Sequence, residues 1–187
     1  MPPNLTNPSA IAGRRDAYDA SVRGRRFIAT NIINTPIVLP VGFVDTTPTL
    51  MLRLSATTRK VTFRSIIFSL TTAGGTPADH VRMILVLDTT DRWSAGGTVH
   101  TAYSMNEESP ILSVVTAFYS LPTATAAGVG VRPETHIATA NTVGVPFGIN
   151  YGDGLILGKT SSLLFYIFTM AGTAAQGLFT VEWDEME

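Results

Sequence analysis

Cysteine is absent from this 187-residue chain. A disulfide framework, a thiolate metal site and a cysteine nucleophile are therefore excluded together. Charge is scarce: 14% of residues are Asp, Glu, Lys or Arg and the formal net charge is −1, against roughly a quarter charged in an ordinary globular protein. A lone domain in solution relies on more net charge than that, so the composition predicts a neutral surface covered by neighbouring subunits. Helical periodicity is nearly absent. Only residues 11–26 tolerate it, and Gly13 and Gly24 weaken even that stretch. Long hydrophobic runs are missing as well. The longest, Leu163-Leu164-Phe165-Tyr166-Ile167-Phe168, falls far short of the roughly 20 residues that span a bilayer as a helix. No N-terminal stretch joins basic residues to a continuous apolar segment, so no secretory signal is read. The expectation is a soluble protein without membrane insertion.

Motifs of catalysis are equally sparse. His80, His100 and His136 lie far apart, whereas a metal site on a small β-barrel needs two histidines one residue apart, so that both face inward from one strand. Asp88 and Asp91 share a loop, Asp79 precedes His80, and Glu107 adjoins Glu108. Two carboxylates in a loop are a start toward the six to eight oxygens that Ca²⁺ takes, but local turns capped by their own aspartates explain them more simply. No spacing selects a glycosidase pair. Gly128-Val129-Gly130 and Gly152-Asp153-Gly154 are not followed by Lys-Ser/Thr or by a helix, so they lack the donors of a phosphate loop. Asn4-Leu5-Thr6 fits a glycosylation acceptor by chance, given no export signal. Trp93 and Trp183 read as packing or interface anchors rather than sugar platforms. We expect no catalytic residue, no metal, no cofactor and no enzyme.

What is present is β-structure. From Phe27 onward the chain is a series of β-branched and aromatic runs cut apart by Gly, Pro, Thr and Asn. Strands are predicted at 27–33, 36–41, 50–55, 60–70, 81–88, 99–104, 111–120, 136–140, 155–158, 163–170 and 178–184. Residues 81–88 are apolar on both faces beyond Arg82, as in the middle of a sandwich. The breaks at 73–77 and 95–97 carry paired glycines that cannot continue a strand. Asp153-Gly154, set between apolar triplets, predicts a hairpin turn. Residues 122–133 read as a long Ala/Gly/Thr loop. Roughly eight to ten strands without crossover helices predict an all-β fold, an antiparallel β-sandwich.

The first 26 residues differ. Arg14, Arg15, Arg23, Arg25 and Arg26 fall within 13 residues, offset only by Asp16 and Asp19. No large apolar cluster accompanies them. Arginine grips phosphate through two parallel hydrogen bonds, and many copies of a short basic arm would release many counterions from a nucleic acid. The last six residues carry the opposite sign, with Glu182, Asp184, Glu185 and Glu187, and the arm's arginines have a partner there too.

In this organisation the chain resembles the single jelly-roll capsid proteins of small icosahedral viruses. The resemblance rests on the arginine-bearing arm, on the strand Val81-Arg82-Met83-Ile84-Leu85-Val86-Leu87-Asp88 ending in an aspartate-led loop, and on Leu178-Phe179-Thr180-Val181-Glu182-Trp183. It implies a basic arm over 1–26 and a jelly-roll shell domain over 27–187. It further implies self-assembly into an icosahedral shell of the virion that encloses the genome. The five arginines would then contact viral nucleic acid or neighbouring subunits. Its partners would be many copies of itself, the viral genome and a second coat protein. The alternative is a glycan- or receptor-binding β-sandwich module of a virus or phage fibre or minor capsid structure.

Overall fold

A computed structural model describes residues 23, 25–31, 35–55, 57–74, 80–125, 134–140, 142–170 and 172–186. In chain order their strands are β1 (Arg26–Thr30), β2 (Ile37–Val38), β3 (Leu50–Leu54), β4 (Lys60–Thr72), β5 (His80–Asp88), β6 (Trp93–Ala95), β7 (Thr98–His100), β8 (Tyr103–Ser104), β9 (Thr116–Tyr119), β10 (Thr123–Ala124), β11 (Glu134–Ala140), β12 (Pro146–Leu157), β13 (Ser161–Thr169) and β14 (Gln176–Met186). No helix occurs among the described residues.

Two large antiparallel sheets form. Sheet A runs β12-β4-β14-β1-β8, with β2 added at one end of β14, and sheet B runs β11-β5-β13-β3-β9-β7. The pairs β1·β14, β3·β13, β4·β12 and β5·β11 nest inside one another along the chain, as if one long hairpin had been rolled up. Alternation decides which side chains meet. On β14, Phe179 and Val181 are buried between half-exposed neighbours and Trp183 is buried beyond them, and on β1 Phe27 and Ala29 alternate in the same way. They join Leu50, Leu52 and Leu54 of β3 and Leu163, Phe165 and Ile167 of β13 in one core. The sheets interlock there: Phe63 of β4 lies 5.6 Å from Phe165 of β13, and Tyr119 of β9 lies 6.0 Å from Phe179 of β14. Burying Phe63, Phe165 or Phe179 stabilises the fold by about 1.5–3 kcal/mol each. The expected all-β sandwich is therefore what the chain forms.

β13 is buried at all nine positions because its outer face is covered too. Met51, Ile84, Val86, Phe118, Leu164, Tyr166 and Phe168 form a second cluster on the outside of sheet B. A small ribbon of β6 and β10 lies over it, with Trp93 stacked on Phe118 at 5.2 Å. Phe43 closes the other end, edge-on to Tyr166 at 5.1 Å. This double cover explains why residues 81–88 and 163–168 lack polar alternation.

Several predicted boundaries move. Asp153-Gly154 does not turn a hairpin. β12 runs straight through it with a register irregularity between Asn150 and Leu155, and both halves pair with β4. Thirteen-residue β4 offers a longer partner than the two short halves offer each other, and Phe147, Ile149, Leu155 and Leu157 all reach the core from it. Gly154 takes φ +81° at the irregularity. The predicted strand 111–120 shrinks to β9, because Asn106, Ser109 and Ser113 bond the backbone amides two residues ahead and Pro110 donates nothing. The predicted strand 99–104 splits in two: β7 belongs to sheet B and β8 to sheet A, and residues 101–102 cross between them. Residues 36–41 keep only two strand residues, and the predicted loop 122–133 begins with strand β10. Strand structure starts at Arg26 rather than Phe27, while the helix-tolerant residues 11–22 and the loop residues 126–133 lie outside the described residues.

Candidate functional site

The described part of the arm meets the acidic strand. β1 pairs with β14 so that Arg26 opposes Asp184. The Arg26 guanidinium donates from Nε to Asp184 Oδ1 at 2.8 Å and from Nη2 to Oδ2 at 3.3 Å, and Arg64 Nε donates to the same carboxylate at 2.6 Å. The hydrogen bond to Asp184 raises Arg26 above its ordinary pKa, so this guanidinium stays charged in place. Asp184 is fully buried between the two arginines. The next residue works alike. Glu185 is fully buried, its amide donates to the Arg25 carbonyl at 2.8 Å, and its carboxylate accepts from Arg59, Ser113, Val114 and the Trp183 indole. Two of the four terminal acids are thus buried structural anchors.

Of the five arginines singled out in the sequence, Arg26 is committed to Asp184. Arg25 is half-buried and Arg23 lies exposed in a turn, both just ahead of β1. Arg14 and Arg15 lie outside the described residues. The sequence signal for a basic patch was composition alone, and composition does not distinguish an arginine that binds phosphate from one that closes a sheet.

Asp88 at the end of β5 and Asp91 just beyond it also have partners. Asp88 caps its own turn, accepting from the Thr90 amide at 2.9 Å, and receives Arg92 Nε at 2.8 Å. Asp91 accepts three hydrogen bonds from Arg53, from Nε at 2.9 and 2.8 Å and from Nη2 at 2.7 Å. Arg53 in turn lies 4.7 Å over the Trp93 ring, so the indole meets a guanidinium as well as Phe118. Trp183 is fully buried against Phe27 at 6.2 Å. Both tryptophans therefore pack. His100 stands between Tyr119 and Phe179 at 5.8 and 6.1 Å, with Nε2 buried and unpartnered. Burial lowers its pKa below the ordinary 6.5, against a backbone hydrogen bond at Thr30. Among the described residues no group of three His, Asp or Glu side chains is placed to hold a metal ion.

What the sequence did not single out is the pair of sandwich edges. On one flank, at β7 and β8, Val99, Tyr103, Met105 and Leu112 are exposed, Leu112 to 82%. Between them lies an open groove of about 710 Å³ floored by Ile28 and rimmed by Glu107. On the other flank Ile156 of β12 is exposed to 56%, opposite Thr62, while Val143 and Val145 just ahead of β12 and Ile67 of β4 are exposed toward the far end of that strand. Sheet edges of natural monomers are usually guarded by charge. Here the apolar side chains sit on them. The missing signal was the topology: only a strand order tells which half of an alternating pattern ends on an edge.

Comparison with known proteins adds no relative to set beside this geometry: no family model, no curated protein and no solved structure matches the chain at a significant level.

Proposed function

We propose that this protein is a structural subunit that assembles through its sandwich edges into a closed shell, as a viral capsid protein does, with the fold of a single jelly roll. One observation carries the reading: apolar side chains are exposed along both opposite edges of a sandwich with very little charge elsewhere. A patch of that kind on a soluble chain marks a contact surface, and two of them on opposite flanks let each copy touch two others.

The strand order supports the fold assignment. Counting the eight nested strands along the chain, sheet A reads sixth-third-eighth-first and sheet B fifth-fourth-seventh-second. That is the order expected of two Greek keys rolled into a jelly roll, an architecture used by capsids, lectins and cupins alike. Since one fold hosts many functions, the edges and not the topology favour the shell. Arg14, Arg15, Arg23 and Arg25 are proposed as the arm's contact with genomic nucleic acid or with neighbouring subunits, and a virion as the location. A second coat protein sharing the shell is part of the same proposal. The glycan- or receptor-binding alternative would place its contact on exposed aromatics such as Tyr103, and it predicts no closed particles.

Light scattering after size exclusion and negative-stain microscopy test the reading. Uniform closed particles or rings are expected, with excess absorbance at 260 nm where nucleic acid is held. A single 20.0 kDa species at high concentration and moderate salt would overturn it.

A further inference from the structure

We infer that neighbouring copies join head to tail, the groove beside β8 of one copy receiving the β12 edge of the next. The inference rests on the assembly reading above and names which surface meets which.

Register brings the two surfaces to one height. Ile156 of β12 pairs with Thr62 of β4, Thr62 with Asp184 of β14, and Asp184 with Arg26 of β1. The Arg26 carbonyl then accepts from the Met105 amide at 2.8 Å, at the wall of the groove. One transverse row thus runs from Ile156 to Met105, the full width of sheet A. At about 4.8 Å per strand step its ends lie roughly 19 Å apart. Setting a second copy beside the first at the same level brings Ile156 of one to Tyr103, Met105 and Leu112 of the other.

Charge agrees with that pairing. Glu107 and Glu108 are exposed at the groove flank, whereas Lys60 and Lys159 are exposed beside Ile156. Lys60 precedes Val61, which pairs with Leu157, and Lys159 follows two residues later. Acid at one edge and base at the other, on the same row, attract head to tail and repel head to head. An isologous contact would set acid against acid or base against base. A heterologous contact repeats, and it closes into a ring where the rotation per copy allows.

Complementation between two edge variants tests this. Leu112→Asp blocks the groove but keeps the β12 edge, and Ile156→Asp does the reverse. Both positions are exposed, and circular dichroism melting confirms that each variant folds. Each alone is expected to be monomeric by light scattering, while an equimolar mixture forms a 1:1 heterodimer and stops there. Charge reversal is the second arm. Glu107→Lys with Glu108→Lys weakens assembly of the otherwise unaltered chain, and adding Lys60→Glu with Lys159→Glu restores it. Dimers of either single variant alone would show isologous contacts and overturn the inference. A mixture that stays monomeric while the unaltered protein assembles would also overturn it, leaving the assembly reading intact. A monomeric unaltered protein would sink both.

Discussion

Glu185 is a buried carboxylate in a chain with few charges, and removing it tests how the terminal strand is held. Its side chain is fully buried. Oε1 accepts from Ser113 Oγ at 2.5 Å and from Trp183 Nε1 at 3.1 Å, Oε2 accepts from Arg59 Nη1 at 3.0 Å, and the Val114 amide reaches both at 3.0 and 3.1 Å. Glu185→Ala leaves those donors without an acceptor. Removing one partner of a buried ion pair costs about 3–5 kcal/mol. The Arg59 side chain is 27% exposed, so water recovers part of its solvation and the lower end, about 3 kcal/mol, applies. For a chain of this size each kcal/mol moves Tm by about 2–4 °C, which gives a fall of roughly 6–12 °C. Glu185→Gln keeps the shape and one acceptor oxygen but turns an amide donor toward Arg59 or Val114, a loss of about 1–2 kcal/mol. Thermal unfolding followed by tryptophan fluorescence is the assay, since Trp183 is itself one of the donors. The order expected is unaltered, then Gln, then Ala. If Glu185→Ala melts within about 1 °C of the parent, the carboxylate does not anchor β14 and the reasoning fails.

Two further outcomes follow from local geometry. His100 is held on the neutral side of its ordinary pKa of 6.5 by burial, so the unfolded chain binds its proton more readily. Stability therefore falls as pH drops through 6.5 and levels off once the folded form also takes the proton. Urea denaturation at several pH values should show that slope lessened in His100→Gln, and an identical slope in both proteins would refute it. At Gly154, φ is +81° and a Cβ would run into the Thr62 methyl. Gly154→Ala is expected to cost about 1–3 kcal/mol, with part recovered by adding Thr62→Ser, which removes that methyl. No recovery in the double variant, read by denaturant midpoint, would assign the whole cost to backbone strain.

Much of the sandwich is legible in the sequence because alternation and burial have one physical cause. Phe179, Val181 and Trp183 point to the core for the reason they alternate with Leu178, Thr180 and Glu182. Residues 81–88 and 163–168 reveal their central place by lacking that alternation. What stays hidden are choices made by partners far along the chain. Asp153-Gly154 has the local chemistry of a hairpin, and only the presence of thirteen-residue β4 converts it to an irregularity in a strand. Arg26 looks like part of a phosphate-binding arm until Asp184 is brought opposite it, 158 residues later. Leu112 looks like a strand residue until Ser113 turns its oxygen to Glu185 and leaves the leucine in solvent.

The placement of β14 has a consequence for synthesis. Residues 176–186 lie between β1 and β4, so the middle of sheet A is made after the strands on either side of it. While the ribosome works through the chain, β1 waits with its hydrogen-bonding edge open, and β4 has only β12 beside it. Pairing across such a distance is slow, and open edges invite other nascent chains to bind. A translation stop before residue 176 would therefore yield not a shorter folded protein but a split sheet ready to aggregate.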